Sequence, residues 1–180
     1  TLTYISDLIG SSQPATSTNH TISFQTASAI PPSGSIVVRN ESTGLNFPSG
    51  LDFGDMDLRV DSGSGFVERT LASTATVSVD GVAVVTGTNG SITITLASVA
   101  AGIPAGSTIE LLIGTHATSG AVGDTQIINP SSIGSIRIIL ETKDPGSAIL
   151  DEGKTMIAIL DPVGVSAVTV VTVPVLFNGL

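Results

Sequence analysis

Short runs of β-branched residues, separated by turn residues, recur along this chain without any sustained helical pattern. "SITIT" (Ser91–Thr95) and "SIRIILET" (135–142) alternate with period two, which sends successive side chains to opposite faces of a strand. Glu, Lys, Arg and Gln, which extend helices, are scarce, while Val, Ile and Thr dominate and suit a pleated, half-buried surface. Gly, Pro, Ser and Asn clusters fall between the runs at the spacing of a sandwich or barrel. With 180 residues the chain can bury one sizeable core. The expected fold is all-β: a mostly antiparallel β-sandwich of immunoglobulin-like or jelly-roll type.

Strands are expected at residues 2–8, 20–26, 35–39, 56–60, 66–71, 75–79, 82–86, 91–96, 108–113, 135–142, 155–160 and 165–177. Asp80-Gly81 reads as a hairpin turn between two of them, because that pair accepts positive φ. A second turn is expected at Asn89-Gly90, and "KDPGSAILDEGK" reads as a tight hairpin with Asp144, Asp151 and Glu152 outside. Residues 10–19, "GSSQPATSTN", are small, polar and uncharged, and read as an extended connector or as an ordinary loop. One domain therefore spans 1–180, with residues 1–9 a separable strand, 10–19 its tether and 20–180 the body.

Charge narrows the partners. Asp, Glu, Lys and Arg make up 12% of the chain, about half the usual share, and mean hydropathy is +0.47. A surface so poor in charge suits contact with other protein. Six Lys and Arg against a formal net charge of −9 argue against nucleic-acid binding and against docking on acidic lipid. No run reaches the roughly 18 apolar residues of a membrane span, so no membrane insertion of the mature chain is expected. The chain starts at Thr1, not Met, which suggests removal of a secretory signal peptide before Thr1 and an extracellular or cell-surface location. Cysteine is absent, so neither disulfides nor thiolate metal sites arise.

Candidate chemistry is sparse. The two histidines, His20 and His116, belong to no catalytic or nucleotide-binding motif, so no enzyme, catalytic residue or cofactor is expected. No metal site is expected either; the weak candidate is Ca²⁺ at Asp52, Asp55 and Asp57, which lacks the spacing and closing Glu of an EF-hand and also reads as turn-forming aspartates. Three glycosylation sequons begin at Asn19, Asn40 and Asn89. Aromatic residues are 3% with no Trp, which disfavours sugar stacking.

Both ends are apolar. Residues 165–177 carry no charge and are apolar on both faces of a strand, with Val171, Val173, Val175 and Phe177 on one of them. An ordinary edge strand is apolar on one face only, and exposed edges are normally blunted by charge. Either a long loop covers this strand, or a neighbouring copy does. The N-terminal strand offers Leu2, Tyr4, Ile5, Leu8 and Ile9. Inserted beside a strand of another copy, Leu2, Tyr4, Leu8 and one of Ile5 or Ile9 would contribute about 6–12 kcal/mol of apolar burial before entropy costs. Head-to-tail repetition of that contact gives a homopolymer.

The opening also resembles a family of exported bacterial surface domains, common in predicted proteins of uncultivated small-genome lineages. Ser6, Asp7, Leu8, then Asn19, His20, Thr21, Ile22 and Phe24, then Ala29, Ile30, Pro31, Ser33 and Gly34 carry the resemblance, and "FGDMDL", "GDTQIINPSSIGSIRIILET" and "ILDEGKTMIAIL" extend it. It implies a secreted β-sandwich with no known catalytic site. The architecture is similar to pilus and biofilm-fibre subunits joined by donor strands. The leading expectation is a structural subunit of an extracellular filament assembled by strand addition, with residues 1–9 as donor and the C-terminal strand in the groove or subunit contact. A monomeric surface adhesin or binding module, and a surface-lattice or coat protein, are the alternatives.

Overall fold

The computed structural model describes residues 1–161. They form an all-β sandwich of mostly antiparallel strands. The strands are β1 (Tyr4–Ile9), β2 (Ser17–Thr18), β3 (His20–Gln25), β4 (Ser35–Asn40), β5 (Met56–Asp61), β6 (Phe66–Arg69), β7 (Leu71–Ala72), β8 (Asp80–Val85), β9 (Ser91–Thr95), β10 (Thr108–Ile113), β11 (Ile127–Ile128), β12 (Gly134–Lys143) and β13 (Ile149–Ile159). One sheet runs β1-β3-β10-β5-β6, the other β13-β12-β4-β9-β8-β7, and β2 pairs with β11 apart from both. Among the described residues the short β7–β8 pair is the one parallel pairing.

Period-two alternation builds the core. β3 buries His20, Ile22 and Phe24, and β10 buries Ile109, Leu111 and Ile113. Their apolar members belong to one cluster with Ile36, Val38, Ile92, Ile94 and Leu140 of the second sheet. Each large apolar side chain so buried contributes about 1.5–3 kcal/mol.

Several boundaries differ from the sequence reading. Residues 75–79 form no strand, and Asp80-Gly81 opens β8 instead of turning a hairpin. A Cβ on Gly81 would sit 2.1 Å from the Ala75 nitrogen, so the glycine serves a close backbone approach. The turn at Asn89-Gly90 does join β8 to β9, where Val85 pairs with Ser91. The β12–β13 hairpin is present, with β13 beginning six residues before the expected 155. Its Asp151 points into the protein, not outside. The tether, residues 10–19, is fastened to the body: β2 pairs with β11, Ala15 N–H donates to Pro130 O, and Asn129 Nδ2 donates to Ser11 O and Gln13 O. Val171, Val173, Val175 and Phe177 lie outside the described residues.

Candidate functional site: the seam between β1 and β13

The N-terminal strand is paired at home. Tyr4 faces Gln25 and Ile9 faces His20 across an antiparallel β1–β3 ladder. Gly10 N–H donates to Asn19 O at 2.9 Å on that register, so alternation makes Leu8, Ser6 and Tyr4 the residues bonded to β3. The N–H and C=O groups of Ile5, Asp7 and Ile9 point the other way, off the outermost strand of the sheet. Within one copy, β1 thus occupies the place beside β3 that the donor-strand expectation gives to a neighbour's residues 1–9.

The flank that β1 presents meets the edge of the other sheet. Leu2 N–H donates to Glu152 O at 3.2 Å, and Leu160 N–H donates to Ser12 O at 2.9 Å. From residue 152 of β13 to residue 160, just past its end, the chain spans about 26 Å between these two bonds. No ladder joins β1 to β13 along that length, because each is the last strand of its own sheet. β12 takes the ladder groups of the odd-numbered β13 residues from 151 to 157, so those of Lys154, Met156 and Ala158 point into the seam. Two strand edges thus face each other, closed at the ends and unladdered between.

Side chains along the seam fall in two sets. Leu2 is buried against Gly153, and Ile5 and Ile9 pack partly against the core. Tyr4 and Leu8 point outward, 53% and 73% exposed. The donor-strand expectation buries Leu2, Tyr4 and Leu8 with one of Ile5 or Ile9; within the chain's own sheet Tyr4 and Leu8 are the outward pair instead. Asp7 shares the inward face, and its Oδ2 lies 2.9 Å from His20 Nδ1 with both side chains sealed from solvent.

The acidic residues hold loops. Asp55 Oδ1 accepts N–H bonds from Asp124 and Thr125 at 2.8 Å, and its Oδ2 accepts from Asp52 N–H. Asp57 accepts from Thr118 and Ser119 N–H, and Asp52 caps Gly54 N–H. These carboxylates do not converge, and no three His, Cys, Asp or Glu side chains among the described residues gather as metal ligands. The weak Ca²⁺ candidate gains no support: backbone N–H donors already take up the carboxylate oxygens of Asp55 and Asp57. Asp80 and Asp151 follow the same plan. Asp80 accepts from Arg69 and from Ala97 N–H at 2.7 Å. Asp151 accepts from Ala27 and Ser28 N–H and from the Thr1 amino group. Burial works to raise the pKa of Asp151, but the Thr1 ammonium and the two N–H donors outweigh it and hold the carboxyl below its ordinary value. The sequence carried no mark for these staples, because acceptors and donors lie up to 150 residues apart.

His20 is fully buried, and His116 Nε2 meets Thr21 Oγ1 at 3.1 Å. Desolvation lowers the His116 pKa, as do the nearby His20 and Arg59, against the opposing pull of Asp57. The sequons separate clearly. Asn89 is exposed. Asn40 is buried, and its Nδ2 donates to Leu45 O and Thr88 O, so that amide is spent on the fold. Asn19 is held by Thr115 and Gln126.

No family model and no curated protein matches the chain. Among solved structures it is similar to a collagen-binding domain from a Staphylococcus aureus adhesin, at 8% identity and TM-score 0.44, over 86% of this chain and 95% of that one. It is also similar to AvmM, described as catalysing macrocyclization in alchivemycin A biosynthesis, at 11% identity and TM-score 0.36, over 90% and 91%. Neither likeness bears on function.

Proposed function

We propose that this chain is a non-enzymatic binding module of a cell surface, and that it binds an extended polypeptide as an added strand at the β1–β13 seam. The observation that carries the reading is the pair of facing strand edges, whose backbone–backbone hydrogen bonds among the described residues are Leu2–Glu152 and Ser12–Leu160, with no ladder between. Ladder groups with no partner among the described residues suit another backbone, and exposed Tyr4 and Leu8 beside them supply apolar contact. The charge-poor surface and the sealed His20–Asp7 pair favour binding over catalysis. The test uses the full chain and a peptide of residues 165–177, titrated by calorimetry. Binding that Leu8→Lys weakens at least tenfold supports the reading. Binding that ignores Leu8→Lys moves the site elsewhere.

A second reading, a filament subunit assembled by strand addition between copies, is favoured by the uncharged, two-faced apolar segment 165–177. In it, that segment of one copy enters the seam of the next. Negative-stain microscopy of concentrated full-length protein separates the two: fibres support the filament, discrete particles the binding module.

A further inference from the structure

The apolar pattern of β1 leaves its register undecided. "YISDLI" carries Tyr4 and Leu8 on one face and Ile5 and Ile9 on the other, so a one-residue slip would still bury two large apolar side chains. Something else fixes which face turns inward. Asp7 stands opposite Ile22 on the inward side, diagonal to His20, and their side chains meet at 2.9 Å with no exposure to solvent. Asp7 Oδ1 and His20 Nε2 have no further partner among the described residues, so each group depends on the other.

We infer that His20 is the register key of the strand site on β3: it selects an extended segment bearing one carboxylate with an apolar side chain two residues away on each side. Residues 5–9 of this chain, Ile5-x-Asp7-x-Ile9, are the occupant. A slip of one residue carries Asp7 to the outer face and leaves His20 buried without a partner, the costly outcome for a polar group in a core. Buried ion pairs add little net stability compared with apolar residues of similar size, and their best-attested role is to fix register. Asp7 and His20 are therefore specificity determinants for the docked strand. This inference does not depend on what the outer edge of β1 binds.

The experiment is nuclear magnetic resonance on the full chain, reading α-proton contacts across the unbonded pairs Ile5–Phe24, Asp7–Ile22 and Ile9–His20. The double variant Asp7→Leu with His20→Leu should fold, because the pair is replaced by apolar volume. It should show a second set of β1 signals, at roughly a tenth of the total or more. The exchanged pair, Asp7→His with His20→Asp, should return a single register. A double-leucine variant holding only the native contacts would overturn the inference. So would an exchanged pair with mixed registers. The single Asp7→Leu change is not needed, so its possible unfolding leaves the test intact.

Discussion

Leu2 N–H donates to Glu152 O at 3.2 Å, and this bond joins the N-terminal flank of the first sheet to the edge strand of the second. Leu2 also packs its side chain on Gly153, where an added Cβ would lie 3.1 Å from it. The seam is therefore pinned at this end by both backbone and side chain. Gly153→Val should loosen the pin. We expect a fall in stability of about 1–3 kcal/mol from overpacking, read from urea unfolding.

Leu8 is 73% exposed on the outward face, so Leu8→Lys should leave the fold unaffected. Its stability should stay within about 0.5 kcal/mol of the parent. Charge on an edge strand opposes strand addition, so association should weaken while the thermal midpoint holds. Light scattering after size exclusion, with a thermal melt on the same sample, checks both.

Asp80→Ala should be among the most damaging single changes. It leaves Arg69 without its partner and strips Ala97 N–H of its acceptor. Breaking a buried pair in this way costs about 3–5 kcal/mol, again read from urea unfolding.

Acid should weaken the fold through two carboxyls whose folded pKa values are lowered. Burial works to raise the pKa of Asp151, but the Thr1 ammonium and the Ser28 and Ala27 N–H groups lower it further; burial is likewise outweighed at Glu141 by Lys143 and Arg39. A lowered folded pKa means the unfolded chain takes up protons first. Their stabilisation is thus complete above the ordinary carboxyl range, about pH 4–4.5, and is lost as pH falls through their folded values. Asp151→Asn should flatten that part of a stability–pH curve measured between pH 6 and pH 2, relative to the parent.

Glycan occupancy should follow burial. Expressed in a glycosylating host, the chain should carry sugar at exposed Asn89 and none at buried Asn40, as peptide mass spectrometry would report.

Much of the sandwich was legible because alternation and turn chemistry are local. "SITIT" and the Asn89-Gly90 turn needed no distant partner to be read. Asp80-Gly81 was misread because its role is set by Arg69, Ala97 and Ala75, which a turn rule does not see. Spacing left the aspartates near residue 55 open between turn formers and a weak ion site, because it shows carboxylates but not the loop N–H groups, some 60 to 70 residues later, that bond to them. The N-terminal residues were rightly singled out as strand-forming. Their division into inward and outward sets required the register with β3, which only the fold supplies.

Amide hydrogen exchange, resolved by residue, tests the seam most directly. In the isolated chain the amides of Tyr4, Ser6 and Leu8 should exchange slowly, and those of Ile5, Asp7, Ile9, Met156 and Ala158 quickly. Adding the 165–177 peptide should slow the second group and leave the first unchanged. Slow exchange of the second group before any peptide is added, or fast exchange that a saturating peptide leaves unaltered, would contradict the account.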